Sequence, residues 1–258
     1  MSLDFGPALR EWRQQRRMSQ MDLGLSANVS ARHISFLETG RAHPSRAMVL
    51  QLSEELGIPR IARNRLLIAA GLAPAYAQRK LDDDQMGPVR DAVDWMLHRH
   101  DPYPAFAMDR HWRMQKMNNT AQVLLAGMGI SLGDSMLLTL AENASVRSAI
   151  GNLDEVLMHT ILRVRTEISH LGGDSVLEDA LQRLVDLQGD TCIAVDGLLP
   201  AFIPTVYKAG GMTLSMFSTF TQFGTAEDIA LSELRIEMLF PADDATRAIL
   251  SGLAPQPS

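Results

Sequence analysis

Arginine is the residue type that most invites chemistry in this chain. Residues 1–80 carry 12 Lys+Arg against 6 Asp+Glu, and Lys80 is the only lysine among them. Residues 81–258 carry 12 against 24, so the net charge of −6 hides a basic end on an acidic body. A guanidinium presents a planar fork of donors that matches phosphate oxygens and the major-groove edge of guanine. This asymmetry points to a polyanion met by the basic end alone.

Other chemistries find little support. Seven histidines are present, but no His-Glu-x-x-His occurs. His98 and His100 flank Asp101 without a third ligand nearby, so they read as a surface pair. The single cysteine, Cys192, excludes an internal disulfide framework, a cysteine-based zinc site and an iron–sulfur cluster. It has no local nucleophile signature and reads as a small buried hydrophobe. Gly172-Gly173 and Gly210-Gly211 lack the strand–glycine–helix context and following lysine of a phosphate loop. Neither catalysis, a metal nor a bound cofactor is expected. The N-terminus has no basic run followed by an apolar one, so no signal peptide is read. The longest charge-free stretches, 117–133 and 209–226, are broken by Gly, Ser, Thr and Asn, so no membrane span is read and the cytoplasm is expected.

The elements that must position these side chains follow from periodicity and caps. Length and a composition of 46% hydrophobic and 21% charged residues fit one large or two modest globular domains. Helices are expected over 3–17, 20–27 with Ser19 as cap, 31–39 with Ser30 as cap, from Ser45 to Leu56, and 60–70. Asn28 stands where a chain leaving a helix needs positive φ. Gly40, Gly57 and Gly71 are the stops. A helix over 89–97 and a hairpin over 104–117 turning at Asp109-Arg110 come next. Helices over 119–128, 135–141, 152–171 and 175–188 follow, and strands over 201–207, 212–223 and 232–240. In the last strand Leu234, Ile236, Met238 and Phe240 alternate with Arg235, Glu237 and Leu239, which predicts one buried face. Fifteen methionines suggest a soft interior.

Arg17-Met-Ser-Gln20, Leu23, Ser30, Ile34-Ser-Phe-Leu-Glu38-Thr-Gly40-Arg41 and Pro44-Ser45 resemble the helix-turn-helix of Xre-family and phage repressors, over about residues 5–72. Gly24 departs where that family usually has Ala, which alone weakens the second helix by about 1 kcal/mol. Asn28 stands where the family usually has Gly. The resemblance implies that Ala31, Arg32, Ser35 and Phe36 face the bases of double-stranded DNA, with Arg32 the candidate for a bidentate guanine contact. Arg13, Arg16, Arg17, Gln20, Ser30, His33, Arg41, Ser45 and Arg46 become candidate backbone contacts. Ile34, Leu37 and Leu52 are core, and Phe36 is as good a packing residue as a base contact. Such proteins generally bind as dimers on two half-sites. No heptad zipper is present, so a homodimer interface has to be globular, and Val89, Val93, Trp95 and Met96 are candidates.

A second resemblance covers the rest. Pro104-Ala-Phe-Ala-Met-Asp109-Arg110-His-Trp112, Asn118, Gly211-Met-Thr-Leu-Ser215, Phe223-Gly-Thr225, Asp228 and Glu233-Leu-Arg-Ile-Glu237-Met-Leu-Phe240-Pro-Ala-Asp243 look like the ligand-binding region of MmyB-like transcription regulators. Ala226 departs where that family commonly has Pro. The resemblance implies a PAS-like sheet and a hydrophobic small-molecule effector such as a fatty acid. The expected lining is Phe106, Met108, Arg110, Trp112, Met114, Leu124, Met128, Met212, Leu214, Met216, Phe217, Phe220 and Met238. Arg110, His111, Arg113 or Arg235 is the expected partner of a carboxylate head. Each of these residues also reads as ordinary core, and Arg235 with Glu237 as a cross-face pair.

The expected fold class is α+β. A five-helix, lambda-repressor-like helix-turn-helix domain spans 1–75, a linker or interface helix 76–100, a PAS-like antiparallel sheet covered by helices 101–251, and a flexible tail 252–258. The functional expectation is a one-component transcription regulator whose second domain senses an apolar ligand. Two alternatives stay open: a solid, antitoxin-like protein-interaction module, and a cofactor-binding sensor or enzyme.

Overall fold

A computed structural model describes residues 4–189, 202–209, 211–224 and 227–253. Cys192, Ala226 and residues 254–258 of the expected tail lie outside them. Five helices come first: α1 (Phe5–Gln15), α2 (Gln20–Ser26), α3 (Ala31–Glu38), α4 (Arg46–Glu55) and α5 (Arg60–Ala69). The expected serines start three of them. Ser19 Oγ accepts from Asp22 N at 3.0 Å while Asp22 Oδ2 accepts from Ser19 N at 2.8 Å, a reciprocal cap. Ser30 and Ser45 accept from His33 N and Met48 N. Asn28 takes φ 51°, the left-handed turn expected there. Trp12, Leu23, Ile34, Leu37, Leu52 and Leu67 are fully buried and form one core. Each large apolar side chain so buried contributes about 1.5–3 kcal/mol.

One polar interaction crosses this unit. Arg13 Nε donates to Glu38 Oε1 at 2.6 Å, and a second guanidinium nitrogen donates to Glu38 Oε2 at 3.0 Å. A third donates to Met18 O at 2.7 Å. The pair joins α1 to the C-terminal end of α3, with side chains only 10% and 2% exposed. Glu38 holds the Arg13 guanidinium above its ordinary pKa by hydrogen bonding.

Gly24 reverses an expectation. A Cβ there would lie 2.6 Å from Val29 O, because the chain leaving α2 folds back and Val29 N donates to Gly24 O at 2.7 Å. The glycine is required by close backbone approach, so its low helix propensity does not decide its effect.

The second unit is built on a five-stranded antiparallel sheet. Its elements are α6 (Gly87–Arg99), β1 (Ala105–Met108), β2 (Met114–Met117), α7 (Asn119–Gly127), α8 (Met136–Glu142), α9 (Ala144–Ser148), α10 (Leu153–Leu171), α11 (Ser175–Gln188), β3 (Thr205–Ala209), β4 (Met212–Thr221), α12 (Ile229–Glu233), β5 (Arg235–Pro241) and α13 (Asp244–Leu253). Strand order is β2-β1-β5-β4-β3. The hairpin turns where expected, with Asp109 Oδ1 accepting from His111 N and Arg113 N. The expected strands over 201–207 and 232–240 are shorter: Thr205 starts one, and α12 occupies the beginning of the other. Neither α9 nor α13 was expected. Asn143 caps α9, and Asp243 Oδ1 accepts from Thr246 N at the start of α13.

Register separates the two faces. Ala107 pairs with Ile236, and Phe106 with Glu237. Ala105, Ala107, Ile236 and partly buried Met238 pack with Val93 and Leu97 of α6. The single buried face expected for β5 is corrected: Ile236 and Leu239 point to opposite faces and both are buried, because the strand sits in the middle of a sheet covered on both sides. The candidate dimer residues are also revised. Val89, Val93 and Met96 pack within this unit, and Trp95 alone stays open at 63% exposure. Among the described residues no helix is long and apolar enough to cross a membrane, and no cluster of His, Cys, Asp and Glu is spaced to hold a metal ion.

Replacing Gly24 with Ala is expected to lower stability by about 1–3 kcal/mol through overpacking, the opposite of the propensity gain. Thermal denaturation of the full chain reads the sign. Arg13→Met leaves a buried carboxylate unpaired and is expected to cost about 3–5 kcal/mol. A partner change, Glu38→Leu, in the same chain is expected to restore most of it, which urea melts of the single and double variants measure.

Candidate functional site

The candidate recognition surface is the outer face of α3. Ile34, Leu37 and Glu38 turn into the core, which leaves Ala31, Arg32, Ser35 and Phe36 outward. Arg32 is exposed, and its guanidinium lies 5.3 Å from the centre of the Phe36 ring. The Arg41 guanidinium lies 6.0 Å from the same ring. Half-buried Phe36 thus serves as a platform between two cations, an arrangement worth about 0.5–1 kcal/mol at an exposed site. It also holds both guanidinium groups near the face a groove would meet.

The candidate backbone contacts divide. Arg17, Ser30, Arg41 and Ser45 are exposed, and His33 is half-buried. Arg16 donates to Leu56 O at 2.9 Å, and Arg46 to Ala73 O and Pro74 O at 2.5 and 3.2 Å, so the main chain holds both. Arg13 is turned inward and engaged by Glu38, which takes it off the surface where a phosphate would lie. Gln20 is oriented by that pair, since its Nε2 donates to Glu38 Oε2 at 2.8 Å.

The second unit is hollow. A cavity of about 240 Å³ lies between the face of the sheet opposite α6 and the helices that cover it. Phe106, Met108, Trp112 and Met128 of the expected set line it. Leu125, Ile130, Met136, Leu137, Leu140, Val146, Ile150 and Val156 add apolar wall from α7 to α10 and their connections. An adjoining lobe of about 40 Å³ shares Phe106, Leu125, Met128, Met136 and Tyr207 and adds the expected Leu124, Leu214 and Met216.

The other expected lining residues lie elsewhere, for reasons of alternation. Phe217 and Met238 point to the opposite face of the sheet, where Phe217 stacks on Phe240 at 5.7 Å and Met238 packs toward α6. Met212 stands at the exposed end of β4, 37% open. Met114 is buried but outside the cavity wall. Arg110 pairs with Glu233 at 3.3 Å. Phe220 lies outside the lining and reaches it only through a cation.

That cation is Arg163, which the sequence reading missed. Its guanidinium is sandwiched 3.7 Å from the Phe220 ring centre and 4.2 Å from that of Trp112. Trp112 holds φ 57°, unusual for a bulky residue, at the turn that aims its ring there. Val156, Thr160 and Arg163 are spaced i, i+4, i+7, so helical periodicity places Arg163 on the lining stripe of α10. With it the cavity has a polar end of His159, Thr160, Thr205, Tyr207, Ser218 and Glu237.

Glu237 is the second residue missed as lining. Its open surface faces the cavity. Burial among apolar groups pushes its carboxyl above the ordinary carboxylate pKa, while Arg163, a hydrogen bond from Ser218 and Arg235 pull the other way. Burial likewise pushes the Tyr207 phenol up, and the Glu237 charge adds to it.

Known proteins match this division. Residues 4–66 match the helix-turn-helix domain family, and residues 89–253 match the MmyB-like transcription regulator ligand binding domain family. Uncharacterized HTH-type transcriptional regulators of Mycobacterium bovis and Mycobacterium tuberculosis are 37% identical over 65 residues. That stretch is 25% of this chain and 25% of each relative, so the chain is matched to only a quarter of their length. The solved PAS domain of Bordetella pertussis BvgS aligns with 66% of this chain and 94% of its own, at 13% identity and a TM-score of 0.30. With the ligand binding domain matched over most of its length and a helix-turn-helix ahead of it, the chain belongs to the MmyB-like transcription regulators.

Proposed function

We propose that this chain is a one-component regulator, acting as a cytoplasmic homodimer, that binds an operator through α3 and takes an acyl compound of fatty-acid type into the cavity. The observation that carries the reading is the partly open, mostly apolar cavity with polar side chains in its wall, present in the same chain as an outward-facing arginine on a capped helix of the helix-turn-helix unit. A chamber of this kind suits a ligand with a long apolar part and few polar atoms. It also favours the ligand reading over a solid interaction module, which has no use for a void.

An α-helix fits the major groove of B-DNA, and the N-terminal residues of α3 reach the base edges. Arg32 reads a base. Arg41 and Arg17 meet phosphates. A ligand that binds one state of the dimer more tightly than the other changes operator affinity by the same coupling free energy. About 1–3 kcal/mol of coupling changes it about 5–150-fold.

Arg32→Ala is expected to relax preference at one base position by about 1–3 kcal/mol, while Arg41→Ala weakens all sequences and shallows the salt dependence by about one unit. Titrations on specific and random duplexes at several salt concentrations read both, and equal losses for Arg32→Ala on the two duplexes would remove its base-reading role. Native mass spectrometry of the purified chain, with thermal melts against octanoate, decanoate and dodecanoate, tests the ligand. A retained acyl mass or a raised Tm is expected; empty protein with no shift from any of them rejects the acyl reading.

A further inference from the structure

The polar end of the cavity sets a charge problem that decides what head group it takes. Glu237 on β5 interacts with Arg163 from α10, Tyr207 from β3 and Ser218 from β4, with Arg235 two residues away on its own strand, and His159 of α10 lines the same cavity. Its cross-strand neighbours on the same face are Phe106 of β1 and Phe220 of β4. The carboxyl thus has one aromatic-clamped guanidinium opposite it and apolar rings on both sides. Arg163, the stronger of the two guanidinium influences on Glu237, and ionised Glu237 together are neutral, and Arg235 adds a weaker positive field from its own strand. An anionic head brought between them adds a second negative charge beside the Glu237 carboxyl, and two carboxylates cannot both stay ionised at hydrogen-bond distance.

We propose that Arg163 and Glu237 form the head-group site of the cavity, binding the carboxyl group of a medium-length acyl acid as a carboxylate–carboxylic acid pair with Glu237 that holds one shared proton under the Arg163 guanidinium. This rests on the acyl-ligand reading above. The proton comes from solvent on binding and belongs to the pair, not to either oxygen set. No bond other than hydrogen bonds is made or broken. Medium length follows from volume: about 240 Å³ with a 40 Å³ lobe lies at the small end of ligand sites. The raised starting point of Glu237 eases the uptake, because its neutral form is already favoured by burial.

The sign of the pH dependence follows. Below the pKa of Glu237 in the empty chain the residue is already protonated and affinity for the acid is flat. Above it, binding takes up one proton and affinity falls about tenfold per pH unit, until the pKa of the occupied pair is passed. An uncharged ligand such as 1-decanol fills the same apolar wall without that demand. The cavity therefore distinguishes acid from alcohol more strongly at low pH than at high.

Isothermal titration of the full chain with decanoate and with 1-decanol tests this, across about pH 6 to 9 and in buffers of different ionisation enthalpy. The expected result is uptake of close to one proton with decanoate in the falling range, and none with 1-decanol. Glu237→Gln is expected to bind decanoate with no pH slope and more tightly than the unaltered chain at the alkaline end. Arg163→Met is expected to lose decanoate at least tenfold while keeping 1-decanol, whose retention shows that the cavity is still formed. Decanoate binding without proton uptake, an unchanged pH slope in Glu237→Gln, or equal loss of both ligands in Arg163→Met overturns the head-group site while leaving an acyl ligand in place. Binding of neither compound to the unaltered chain overturns the acyl reading and the head-group site with it.

Discussion

A central strand cannot leave either of its faces to water when both carry apolar side chains, and β5 carries them on both. Ile236 points to one side and Leu239 to the other, and both are buried. The side facing α6 is closed with small residues, Ala105 and Ala107 against Val93 and Leu97. The other side is covered by α7 to α10 and their connections, whose large side chains stand off the sheet and leave a chamber. The candidate ligand site is thus the unfilled part of an otherwise obligatory cover. Its apolar wall is the same surface that holds the unit together.

Two Arg–Glu arrangements in this chain illustrate how surroundings set a role. Arg13 and Glu38 meet in a closed core with every guanidinium edge used and with Gln20 completing the carboxylate. Such a pair gives little net stability but fixes one geometry, since losing either partner strands the other. It joins α1, α2 and α3, so the recognition helix and the residue at the start of α2 share one anchor. Arg163 and Glu237 instead line a cavity, with the guanidinium held by two aromatic rings. Charged groups beside a void can admit a third polar group, which is what the proposed head-group site requires.

On the recognition helix the same economy appears on the surface. Phe36 is half-buried by α3 packing yet lies between the Arg32 and Arg41 guanidinium groups. One aromatic side chain orders two cations whose rotamer freedom would otherwise be lost when they engage a partner.

The local elements were legible because their causes are local. Ser19, Ser30 and Ser45 cap the helices that follow them, Asn28 takes the left-handed turn, and Asp109 closes the hairpin, all through bonds between residues two to four positions apart. Helical spacing likewise separated Ile34 and Leu37 from Arg32. What tertiary structure alone decided is which long-range neighbour each side chain meets. Residue type marked Phe217 and Met238 as lining, but strand register turned them away; Gly24 looked like a weak helix residue until Val29 was seen to fold against it. Arg13 looked like its neighbours Arg16 and Arg17 until Glu38, 25 residues on, was found beside it. Glu237 read as one half of a face pair because nothing in its own strand reveals that a helix 74 residues earlier brings Arg163 across a cavity. Short-range bonds are written in adjacent letters, whereas burial and charge depend on what the folded chain carries back from far away.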